Sequence, residues 1–254
     1  LQSLKIVSDD TIRQEGLKIY TSLDVNAQTV LEESIKNNLE KKEEMQVSSI
    51  MMNPNNGEII ALAGGKDYSK SQFNRAVQSK RQVGSTMKPL LYYAALENGL
   101  TASTTFLSKP TTFSLDGGLT YSPSNYANIY PNDNITMALA IIYSDNIYSV
   151  KTHLFLGENT LIDYSRKMGI VSKLEANASL PLGTNELTIK EFTSSYAVIA
   201  NSGMSVVGHL IRKVEDGNGD IIYEYKDKQE EMNINNFLDN NVNVWVGCDE
   251  HYLY

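Results

Sequence analysis

Strand-like segments stand near both ends of this sequence and segments of helical period stand between them. That order does most to restrict the fold. Gly16 to Ser22 carries Leu17 and Ile19 near alternation, the period of a half-buried strand. Late in the chain, Val206 to Val214 and Ile221 to Tyr225 flank Asp216-Gly217-Asn218-Gly219, a hairpin signal. Behind Asp24, a good N-cap, Ala27, Val30, Leu31, Ile35 and Leu39 recur at helical spacing and predict a helix to about Lys42. Val47 to Met52 and Glu58 to Ala63 read as a second hairpin around Asn53-Pro54-Asn55-Asn56-Gly57. Helical patterns recur from near Ser85 to Asn98 with Gly99 as cap, over Thr136 to Ile142, from about Ile147 to Phe155, and over Ile189 to Ala200. Leu119 to Pro131 reads as a long loop. The whole predicts an α+β domain whose two ends meet in one sheet.

Composition removes several classes of function. A net charge of -8 argues against a nucleic-acid partner, which needs clustered positive charge. The one cysteine, Cys248, excludes an internal disulfide. His153, His209 and His251 lack ligand spacing, so no metal is expected. Gly64-Gly65 is too little for a phosphate loop, and no cofactor is expected. No run approaches the apolar length of a membrane span. Residues 1–15 read as the end of an interdomain linker, and 16–254 as the domain itself.

The chemistry concentrates in Gly84-Ser85-Thr86-Met87-Lys88-Pro89. A serine and a lysine three apart at a helix start share a face, which puts the amine within reach of the hydroxyl. A hydroxyl needs a base beside it to become a nucleophile. Burial or a neighbouring cation can lower a lysine pKa enough to supply that base. The helix start adds N–H donors for an oxyanion, and Gly84 is expected to leave room for substrate. Ser144-Asp145-Asn146 falls between two helical stretches, where a loop can project into a cleft. Ser-x-x-Lys with Ser-Asp-Asn is the combination found in β-lactamases and penicillin-binding proteins.

With these residues in view, the chain resembles the transpeptidase domain of class A penicillin-binding proteins over nearly its whole length. The resemblance is carried by Gly16 to Asp24, by Asn53-Pro54 through Ala61 with Gly64-Gly65, and by Phe73-Asn74-Arg75-Ala76 followed by Arg81 to Pro89. It continues in Pro123-Ser124-Asn125-Tyr126, Thr136 to Asn146, Leu182-Gly183-Thr184 and Ala197 to Gly203. It implies a β-lactamase/transpeptidase-like fold, an antiparallel sheet with helices on both faces and a mainly helical subdomain. It implies Ser85 as the acylated nucleophile, Lys88 as its base, Ser144 as proton shuttle, Asn146 as holder of the donor peptide, and Asp145 as an inward structural residue. The implied substrates are the D-Ala-D-Ala ends of peptidoglycan stem peptides, with β-lactam antibiotics as mimics. The implied place is the outer face of the bacterial cytoplasmic membrane, reached through an N-terminal anchor outside this chain. Cell-wall synthesis proteins are further partners that the family admits. A related DD-carboxypeptidase or β-lactamase, and a catalytically degenerate peptidoglycan-binding scaffold, are the alternatives.

One departure stands out. The third family motif, Lys-Thr-Gly, is absent; Lys151-Thr152-His153 matches only in letters and falls on a helical stretch. Ile234 to Phe237 and Val242 to Asp249 resemble the strands around that motif, so a stretch is missing near Leu238 to Asn241. Either the sequence omits a segment that the protein carries, or the protein lacks the motif; the family-like flanks favour the first. An intact mass well above 28.3 kDa supports the omission, and a mass matching the sequence removes it.

Overall fold

The computed structural model describes residues 16–39 and 44–226. The predicted strands beyond Tyr225, the missing stretch near 238–241, Cys248 and His251 lie outside the described residues. In chain order the elements begin with β1 (Lys18–Thr21), α1 (Val25–Leu39), β2 (Ser49–Met52), β3 (Ile59–Ala63), α2 (Arg75–Gln78) and β4 (Lys80–Gln82). Next come α3 (Lys88–Glu97), β5 (Thr105–Ser108), β6 (Phe113–Ser114), β7 (Thr120–Tyr121), β8 (Asp133–Thr136), α4 (Met137–Ile142) and α5 (Asn146–Leu156). The last are α6 (Glu158–Lys167), β9 (Glu186–Thr188), α7 (Ile189–Ala200), β10 (Ile211–Glu215) and β11 (Ile221–Glu224). Among the described residues, every pairing between these strands is antiparallel. Two compact units divide the described chain: 16–84 with 162–176 and 183–226, and 85–161 with 177–182.

The first unit contains the sheet β1-β10-β11, with Ile19 opposite Val214 and Lys213 opposite Glu224. The two ends of the described chain thus meet in one sheet, as the sequence order predicts. The hairpin β2-β3 joins through a bridge between Glu58 and His209, and the Ser22 hydroxyl donates to the Ile59 carbonyl at 2.7 Å. Helix α1 starts where expected: Asp24 Oδ1 accepts from Ala27 N at 2.9 Å. It packs on β3, while α7 packs on β2. At the start of α7, Thr188 and Glu191 form a reciprocal capping box. Glu191 also takes Val171 N, Ser172 N and Ser172 Oγ at 2.8–2.9 Å, tying that loop to the helix. One expectation needs correction here. The strand predicted over Val206 to Val214 begins only at Ile211, because Val206 to Leu210 run alongside the β2-β3 turn, where His209 exchanges backbone bonds with Gly57 and Ile59. Gly57 has a φ of 75°, and a Cβ there would meet the Val207 carbonyl oxygen at 2.5 Å.

The second unit is built around two helices. Along α3, Leu90, Leu91, Tyr92, Tyr93, Ala94 and Ala95 are all buried, and along α5 so are Ile147, Tyr148, Val150, Thr152 and His153. Helices apolar on nearly every face belong at the centre of a core, and these two pack on each other. Buried hydroxyls in that core are paired: Tyr92 with Ser149 at 2.8 Å, and Tyr148 to the Thr104 carbonyl at 2.7 Å. The β5-β8 pair flanks α5, with Phe106 edge-on to Tyr148. The loop expected over Leu119 to Pro131 holds β7, which pairs with β6, before becoming irregular. Lys151-Thr152-His153 lies on α5 with Thr152 and His153 fully buried, as a helical segment requires.

Candidate active site

Ser85 and Lys88 do not open one α-helix. Ser85 sits in a 3-10 turn over Gly84–Met87, and the α-helix begins at Lys88, with Pro89 in its first turn. Proline fits there because its missing N–H would have no partner in any case. Gly84 has a φ of 60°, and the space a Cβ would take there is open. Its N–H donates to the Gly183 carbonyl at 3.1 Å. Gly183 is the residue that space demands: a Cβ there would lie 2.0 Å from the Gly84 carbonyl oxygen.

Lys88 is buried, with 3% of its surface exposed. Its Nζ donates to the Ser144 carbonyl at 2.6 Å, to Ser144 Oγ at 2.9 Å and to Asn146 Oδ1 at 2.6 Å. An ammonium has three N–H groups, and these three acceptors take all of them. Ser85 is exposed and makes none of these bonds. Lys88, Ser144 and Asn146 thus form one bonded cluster, with Ser85 one turn earlier on the same segment. Burial lowers the Lys88 amine to about 8, against the negative charge of Asp145, which acts to raise it.

Ser144 has a φ of 50°, a left-handed conformation that costs a non-glycine residue about 1–2 kcal/mol. That conformation turns both its carbonyl and its hydroxyl toward one amine. Asp145 caps α5, with Oδ1 accepting from Tyr148 N at 2.7 Å. Its Oδ2 accepts from Ser108 Oγ at 2.6 Å and from Asn125 Nδ2 at 2.7 Å. It is buried and points inward, as the motif implies. Asn146 is expected to hold a peptide, yet in this structure both ends of its amide are engaged: Oδ1 on Lys88, and Nδ2 on the Ser124 carbonyl at 2.6 Å. Ser108, Ser124, Asn125 and Gly183 carry no chemical signal in the sequence, although three of them fall within the stretches that carry the family resemblance. Among the described residues no group of histidine, cysteine and carboxylate side chains could hold a metal ion.

The arrangement can do acid–base chemistry on an exposed hydroxyl. A lysine near pKa 8 is part neutral at physiological pH, and a serine hydroxyl at 2.9 Å can pass its proton.

The family profile "Penicillin binding protein transpeptidase domain" matches residues 47–243. The chain is 42% identical over 224 residues to "Penicillin-binding protein 2D" of Bacillus subtilis, covering 88% of this chain and 32% of that protein. It is 32% identical over 236 residues to "Penicillin-binding protein 1A" of Rickettsia felis, covering 92% and 30%. Among solved structures it resembles Penicillin-Binding Protein 1A from Haemophilus influenzae, at 30% identity and a TM-score of 0.68, covering 73% of this chain and 28% of that one. The PonA1 protein from Mycobacterium tuberculosis in complex with penicillin V shares the fold, at 23% identity and a TM-score of 0.75 over 87% of this chain and 61% of that one. The chain spans about a third of the length of the curated relatives it matches. With the family profile matching more than half of its length, the chain belongs to the penicillin-binding protein transpeptidase domain family.

Proposed function

We propose that this chain is a serine DD-transpeptidase domain that cross-links peptidoglycan stem peptides through an acyl-enzyme on Ser85. The observation that carries this reading is the buried Lys88 amine, held 2.9 Å from Ser144 Oγ one turn after an exposed Ser85. Ser85 Oγ attacks the carbonyl carbon between the two terminal D-alanines. The C–N bond breaks, the ester forms on Ser85, and the hydroxyl proton passes through Lys88 and Ser144 to the departing amine. A second amine then attacks the ester, the C–O bond breaks, and its proton returns to Ser85. A β-lactam enters by the first step alone: its ring amide opens onto Ser85 and no separate amine departs. Lys88 supplies the base because burial favours its neutral form. Asn146 holds Lys88 in place through Oδ1, and contacts the donor peptide through the second N–H of Nδ2 while the first stays on the Ser124 carbonyl.

Penicillin V is bound in the Mycobacterium tuberculosis PonA1 complex, and imipenem forms an acyl-enzyme in penicillin-binding protein A of the same organism. These likenesses support β-lactams as ligands of this chain. The family also supports an extracytoplasmic site of action; no helix among the described residues is long and apolar enough to cross a membrane. A fluorescent penicillin tests the reading. The wild-type chain becomes covalently labelled and Ser85→Ala does not. Equal labelling of the two, or no labelling of either, refutes it. Rapid loss of label with release of hydrolysed drug would indicate a hydrolase instead.

A further inference from the structure

The α5 N-terminus carries an unusual amount of side-chain capping. A typical N-cap satisfies one or two of the four free N–H groups at a helix start. Here Asp145 takes Tyr148 N, while Asn125, twenty residues earlier, takes Asn146 N at 2.9 Å and Ile147 N at 3.3 Å through its Oδ1. The other end of the Asn125 amide is also fixed, since Nδ2 donates to Asp145 Oδ2 at 2.7 Å and lies 3.4 Å from Ser108 Oγ. Asn125 is buried, so water does not compete for these bonds. The residue before it, Ser124, is thereby held with its carbonyl on Asn146 Nδ2 at 2.6 Å. That contact decides which way the Asn146 amide faces. With Nδ2 on a carbonyl, Oδ1 must face Lys88; turned over, the amide would set an NH2 against the lysine ammonium.

We propose that Asn125 is a positioning residue for the acylation reaction, acting through Ser124 and Asn146 to keep an acceptor on the Lys88 amine. With Asn146 Oδ1 and the Ser144 carbonyl both unable to give a proton, the only exchangeable partner of Lys88 in the cluster is Ser144 Oγ. Asn125 thus acts on the direction in which Lys88 exchanges its proton, without touching Lys88 itself. Asp145 is the charged group that acts on Lys88, and it lies against Asn125.

This inference rests on the acyl-transfer reading above, and the test separates the two. Acylation by a β-lactam is followed from pH 6 to 10 in wild type, Asn125→Ala and Asn125→Asp. Each rate is normalised to the final label per molecule, so that unfolded protein does not count. The dissociation constant of the first complex and the acylation rate constant are resolved separately. Asn125→Ala is expected to leave the dissociation constant unchanged and to slow acylation about tenfold, as loss of one transition-state contact does. Asn125→Asp keeps the acceptor on Asn146 N and Ile147 N, and, protonated on its other oxygen, donates to Asp145 Oδ2 as the amide did, because two buried carboxylates in contact share one proton. It is expected to acylate close to the wild-type rate and midpoint. If Asn125→Ala loses thermal stability yet acylates at the wild-type rate, Asn125 is a structural residue only and the inference fails. If wild type takes no label at all, the acyl-transfer reading fails with it.

Discussion

Acylation of Ser85 is predicted to follow the titration of one buried amine. Lys88 falls from an ordinary 10.5 to about 8, and burial is the first cause. The difference corresponds to about 3 kcal/mol. At pH 7 a base of pKa about 8 is roughly 10% neutral, whereas one at 10.5 is neutral in only about 0.03% of molecules. Burial therefore supplies roughly three hundred times more free base at neutral pH. The acylation rate constant, measured by stopped flow with a chromogenic β-lactam, is expected to rise about tenfold per pH unit below 8 and to level off above it. The same shift has a stability consequence. The folded state disfavours the charged amine, so the penalty is fully present below about pH 8 and disappears as the pH rises toward 10.5. The unfolding free energy of wild type minus that of Lys88→Met should therefore increase by about 3 kcal/mol over that window. An acylation midpoint at or above pH 10, or a rate independent of pH from 6 to 9, would refute the claim that burial prepares Lys88 as the base.

Three further outcomes follow from individual residues. Ser144→Ala and Ser144→Gly both remove the 2.9 Å partner of Lys88, and both should slow acylation by about a hundredfold or more. Ser144→Gly relieves the left-handed strain and should melt higher than Ser144→Ala, by about 1 kcal/mol in denaturant unfolding; equal stabilities would remove the strain argument. Gly183→Ala places a Cβ 2.0 Å from a backbone oxygen at a φ of 71° and should cost more than about 2 kcal/mol, with slowed acylation because Gly84 adjoins Ser85. Burial raises the Glu191 carboxyl, but the hydrogen bonds from Ser172, Thr188 and Val171 outweigh it and leave the pKa lowered. Its contribution is present above pH 4.5 and is lost as pH falls through the lowered value. Glu191→Gln, which sets an NH2 against those donors, should cost about 2 kcal/mol at pH 7 in the same unfolding assay.

The local rules carried much of the fold. The Asp24 cap, the turn at Asn53 to Gly57, the apolar runs of α3 and α5, and the meeting of both ends in one sheet follow from period and turn chemistry. The strand predicted over Val206 to Val214 failed in its first part, to Leu210, because β-branched residues also suit an extended segment held by isolated bonds to a hairpin turn. The site was legible in its residue types and not in its contacts. Spacing brought Lys88 to Ser85, since i and i+3 are neighbours on a helix. In the structure the helix starts only at Lys88, and the side chain is taken by a loop fifty-six residues later. Asn125 shows the same limit: Asp145, Asn146 and Ile147 lie twenty or more residues later, beyond β8 and α4, where no local period records a pairing.

The central claim is that the Ser85 hydroxyl becomes an ester. Digestion of penicillin-treated protein and mass analysis of its peptides reads this directly. The peptide containing Gly84-Ser85-Thr86-Met87-Lys88 should carry the mass of one opened β-lactam, with fragment ions placing it on residue 85. An unmodified peptide from fully treated, folded protein, or the adduct on Thr86, Lys88 or Ser144, contradicts the account.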